Sequence, residues 1–119
     1  MKLLDIFVEH AGTTVNLRMK PNDDVVTYVV FVRKFTSAGP LPEATWFPED
    51  LETTGRSLVL GHERGYDIIV KATVRRGGHA AIDPLLVIDD TAGTRYTDRI
   101  TLPEVEGPVV ERGWSIAIK

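Results

Sequence analysis

The chain has 119 residues, 43% of them apolar, 26% charged and 8% aromatic, with 14 Lys and Arg against 17 Asp and Glu for a net charge of -3. It is long enough to hold a hydrophobic core without staples. With no cysteine it excludes a disulfide framework, a thiolate zinc site, an iron-sulfur cluster and a thiol nucleophile. The charge balance gives no general attraction to nucleic acid or anionic membrane, and no apolar run approaches the roughly 18 residues of a membrane span.

The start, Met1 to His10, is interrupted by Asp5 and Glu9, which is wrong for a signal peptide and reads as a first strand. The missing leader and cysteines point to a cytoplasmic protein, or to the mature domain of a secreted parent lacking its leader. Thr14 to Lys20 puts Val15, Leu17 and Met19 on one face and Asn16, Arg18 and Lys20 on the other, a half-buried strand. After the turn Pro21-Asn22-Asp23-Asp24, Val25 to Phe35 is apolar on both parities, as expected of a central strand covered on both sides. Thr36 to Gly55 holds Pro40, Pro42, Pro48, four acids and the pair Trp46-Phe47. It reads as a long irregular loop with room for one helical turn at Pro48-Glu49-Asp50-Leu51.

Arg56 to Leu60 is a short strand. Tyr66 to Arg75 alternates, with Tyr66, Ile68, Val70, Ala72 and Val74 inward and Asp67, Lys71, Thr73 and Arg75 outward, and Arg76-Gly77-Gly78-His79 predicts a hairpin turn. Ala80 to Asp89 contains Pro84, which has no amide hydrogen and so predicts an edge strand or a bulge. Asp90 to Thr94 turns the chain into Arg95 to Leu102, and Trp114, Ile116 and Ile118 form the buried face of a last strand from Gly113 to Lys119. These regularly spaced strands describe an all-β chain: an antiparallel β-sandwich, immunoglobulin-like or jelly-roll, of eight to nine short strands with one long irregular loop, in a single domain over 1–119. The phrase Tyr66-x-Ile68-x-Val70-x-Ala72 with its Gly-Gly turn resembles the penultimate strand of immunoglobulin-like, fibronectin-like and jelly-roll carbohydrate-binding domains. Two further strands follow here, a departure from the immunoglobulin order.

No nucleophile elbow, phosphate-binding glycine loop or metal-spaced histidine pair is present in the sequence, so the chain is not expected to be an enzyme. A catalytic role would need His10, His62 or His79, each beside a turn, to converge with an acid in a cleft. Asp83, Asp89, Asp90 and Asp98 surround an Asp-Thr-Ala-Gly-Thr turn; they are the candidate ligands of a calcium ion, which takes six to eight oxygens, or simply what a turn prefers. No other cofactor is expected. Arg18, Lys20, Lys71, Arg75, Arg95 and Arg99, interleaved with Thr73, Thr97, Thr101 and Asn16, would make one basic face if their strands share a sheet, suited to an acidic glycan, a phosphate or an acidic partner.

Trp46 and Phe47 could stack on a sugar ring or anchor a protein, or one of them could plug the end of the sandwich. Together these features predict a non-catalytic module that binds a carbohydrate or a partner protein through residues 36–55 and the adjoining sheet face. Two alternatives stand beside it. One is a structural subunit of a homo-oligomer or larger assembly, pairing through its apolar first and last strands as unpaired edges. The other is calcium-dependent glycan or lipid binding through Asp83 to Asp98.

Overall fold

Alternating apolar residues give the strands one buried face each, and the computed structural model packs those faces together as two sheets. It describes residues 4–8, 11–61, 65–90 and 92–118. Among the described residues ten strands are formed: β1 (Leu4–Val8), β2 (Thr14–Pro21), β3 (Val25–Thr36), β4 (Gly39–Trp46), β5 (Arg56–Val59), β6 (Gly65–Val74), β7 (Ala81–Ile88), β8 (Arg95–Thr97), β9 (Ile100–Thr101) and β10 (Val109–Ile118), with one helical turn, α1 (Pro48–Leu51), between β4 and β5. The larger sheet runs β1-β10-β6-β3-β4; the smaller runs β5-β2-β7-β8, with β9 also on β7.

The inward residues read from the alternation are the core. Val15, Leu17 and Met19 of β2 and Leu86 and Ile88 of β7 meet Val30 and Val32 of β3, Ile68 and Val70 of β6, and Trp114 and Ile116 of β10, all buried. Each such side chain contributes about 1.5–3 kcal/mol by leaving water. The side chain of Ile118, like His10 and His62, lies outside the described residues.

Several expectations are corrected. The sheets are not wholly antiparallel: β1 runs parallel to β10, Ile6 opposite Ile116, because the two strands belong to one sheet but enter it from the same end. The expected irregular loop is mostly strand. β4 returns along β3 as a hairpin, Trp46 opposite Val30 and Pro40 opposite Phe35; its prolines are tolerated because β4 is an edge, where a missing donor costs no ladder bond.

The Gly77-Gly78 turn makes no hairpin, since β6 and β7 lie in different sheets. It is a crossover clamped by the preceding turn. The His79 amide donates to the Asp24 carboxylate, Asn22 Nδ2 donates to the His79 carbonyl, and a Cβ on Gly78 would stand 2.5 Å from Asp24. β7 is interior rather than an edge: Pro84 faces Met19 of β2, and on its other side falls at the break between β8 and β9. That break divides the single strand expected from Arg95 to Leu102.

The central strand of the larger sheet is β6, with β3 beside it. The second parity of β3 is not covered. Tyr28, Val30 and Val32 are buried, whereas Phe31 keeps 36% of its surface exposed and Val29 is half-buried.

Candidate binding groove on the larger sheet

Phe47 and Pro48 turn the chain out of β4. Phe47 is the residue before the helical turn, in an extended conformation, and Pro48 takes the first helical position, where its lack of an amide hydrogen is harmless. Leu51, fully buried, pins the turn to the core. Three more contacts fix it: Tyr28 Oη donates to Glu52 Oε2 at 3.1 Å, Arg56 pairs with Asp50 at 2.8 Å, and Arg18 donates to the Thr53 carbonyl. Burial above all, and then the Glu52 charge and hydrogen bond, pushes the Tyr28 phenol far above its ordinary value.

This anchoring splits the aromatic pair. Trp46 points inward and is only 7% exposed, whereas Phe47 is 50% exposed. Trp46 is therefore the plug, and is not available to a ligand. Phe47 instead overhangs a groove of about 620 Å³ on the outer face of the larger sheet, whose floor and walls include Thr27, Val29 and Phe31 of β3 and Lys71 and Thr73 of β6. The groove thus brings Phe47 and Lys71, both singled out in the sequence, to one place. Thr73 was named with Lys71 in the expected basic face, but Phe31, Val29 and Thr27 were missed, because their parity on β3 read as a covered face; the one available signal was an aromatic inside an apolar run.

The other predicted residues do not join it. Arg18, Arg95 and Arg99 belong to the smaller sheet, while Lys71 and Arg75 lie in or just beyond β6 of the larger one, so no single basic face forms. On the smaller sheet a second groove of about 680 Å³ is lined by Arg18 and Lys20 but also by Glu52, Asp83 and Asp98, so its charges are balanced. Asp83 is held by Arg99 through two bonds of 2.8 and 3.0 Å, and this contact keeps its carboxyl below the usual range. Arg75 stands 4.0 Å from Asp24.

Asp90 accepts from the Thr94 hydroxyl and amide, which lowers its pKa, and Asp98 accepts from the Arg99 amide. Asp89 is exposed. Among the described residues no three His, Asp or Glu side chains gather where they could hold a metal ion. His79 is exposed, and it bonds to Asp24 and Asn22 through its backbone.

A further cluster lies farther along the outer face of the larger sheet. Asp67 of β6 has its side chain 3% exposed between Arg33 of β3 at 2.8 Å and Arg112 of β10 at 3.3 Å, and Arg33 also lies 5.7 Å over the Phe35 ring. Its outward parity was legible in the alternation. Its burial was not.

No helix among the described residues is long and apolar enough to cross a membrane. Comparison with known proteins finds no matching family model, no similar curated protein and no similar solved structure. The class that can be stated is therefore an all-β, two-sheet protein with an open aromatic groove.

Proposed function

We propose that this protein is a non-catalytic binding module that recognises a carbohydrate through the groove under Phe47. One observation carries the reading: two exposed phenyl rings, Phe47 and Phe31, share a groove with the Thr27 and Thr73 side chains and with Lys71. A sugar presents an apolar ring face, which an aromatic side chain covers at low entropic cost. Its rim of hydroxyls matches the hydroxyls of threonine and the three donors of an ammonium group. The scaffold suits the task, since Phe47 follows a buried tryptophan and precedes a turn anchored by Leu51, so little ordering is lost on binding.

The test is an amide chemical-shift titration with neutral and acidic oligosaccharides of several linkage types. Shifts clustered at residues 27–31, 47–49 and 71–73 with one sugar class are expected, and Phe47→Ala should weaken that binding at least about tenfold while leaving the spectrum of the folded protein otherwise intact. Saturating shifts confined to the smaller sheet, or none with any sugar, would refute the reading.

A further inference from the structure

A wet outer face of an antiparallel sheet is normally polar. Here the end of the larger sheet away from the groove carries Phe7, 60% exposed, with Ala117 beside it on β10, and Phe35 opposite Gly65. Two residues away along each strand, on the same face, Asp5 stands beside Ser115, Ser115 beside Asp67, and Asp67 beside Arg33. Charge along this row is uneven. Two guanidiniums, Arg33 and Arg112, share the one carboxylate of Asp67, and Arg33 Nε is buried without a hydrogen-bond partner. Asp5 is exposed on the edge strand, two strands away from Asp67, a separation of about 10 Å that keeps it from serving them within one molecule.

We infer that a second copy of this chain docks on this end of the face, with Asp5 of each copy completing the Arg33–Asp67–Arg112 cluster of the other. The sheet geometry supplies the symmetry. β1 and β6 flank β10 on either side, each about 4.8 Å away. A two-fold axis along β10 therefore lays β1 of one copy over β6 of its partner without changing height along the strands. Asp5 then arrives over the Asp67 row, making two carboxylates for two guanidiniums. Phe7 arrives over the row of Gly65 and Phe35, where its ring meets the partly exposed ring of Phe35. The axis itself passes over Ser115 and Ala117, small enough to let the faces approach.

A two-fold contact must be self-complementary in this way, and this one leaves the groove under Phe47 open. Only a few short strand segments take part, so the interface is at the small end of specific contacts and dissociation on the order of micromolar or weaker is expected.

Sedimentation equilibrium of the intact chain from about 5 to about 500 µM, a range bracketing that affinity, tests the inference. The mass is expected to rise from 13.2 kDa toward twice that value with concentration and to fall back as salt screens the Asp5 contact. Asp5→Lys and, separately, Phe7→Ala should each weaken self-association at least about tenfold, with folding checked by circular dichroism, while Phe47→Ala leaves it unchanged. A monomer throughout overturns the inference, and so does a dimer indifferent to both Asp5→Lys and Phe7→Ala, which would be using another face.

Discussion

Single side chains in this protein act through the company that the strands give them. Tyr28 is the sharpest case: a buried phenol bonded to a carboxylate is stable only while it keeps its proton. Its folded pKa lies above the unfolded value near 10, so its contribution is fully present below pH 10. Above that the unfolded chain ionises first, and stability falls by up to about 1.4 kcal/mol per pH unit. Urea unfolding at pH 8, 10 and 11 should show this loss, and Tyr28→Phe should remove most of it. Asp83, held by Arg99, and Asp90, held by Thr94, have lowered pKa values. Their contributions are present above pH 4 and lost as the pH falls through those lowered values, with little amplitude because both are solvent-facing. The sequence showed Tyr28 and Asp83 but not their partners, since Glu52 is 24 residues from Tyr28 and Arg99 is 16 from Asp83, whereas Thr94 stands in the same turn as Asp90.

Among the elements, the stretch from β4 to the start of β5 shows how a polar, proline-rich segment becomes ordered. Trp46 and Leu51 are buried on either side of the exposed Phe47, so the segment is held at two points and presents what lies between. The adjacent aromatics should then respond oppositely to truncation. Trp46→Ala is expected to cost about 3–5 kcal/mol of stability, and Phe47→Ala less than about 0.5 kcal/mol, as read by chemical denaturation. Gly55 closes the segment with φ at +79°, and a Cβ there would stand 2.6 Å from the Leu17 carbonyl oxygen. Gly55→Ala should therefore cost more than about 1 kcal/mol and loosen the turn that carries Phe47. The turn at Pro48 was legible because proline's preference is local; β4 was not, because an edge strand with two prolines is recognised only by the partner it lies against.

Across the whole molecule, the chain passes repeatedly from one sheet to the other, and its first and last described strands meet as β1 pairs with β10. β10 lies between β1 and β6, so its Trp114 and Ile116 belong to the larger sheet's interior rather than to a free edge. Association through the last strand's edge, one of the routes the sequence suggested, is thereby closed, whereas β1 is an edge of the sheet among the described residues. The sequence by itself determined the class of structure and most of its inward faces, because an apolar residue at every second position has only one way to leave water. It also marked the turns at Asn22, Gly77 and Asp90, where local chemistry decides. Only the tertiary structure decided which strands became neighbours, and with that which of β3's two apolar faces was covered, why Asp67 lies between two arginines, and where Phe47 meets Phe31. These depend on pairings between residues far apart in the chain, and alternation within a strand carries no record of its partner.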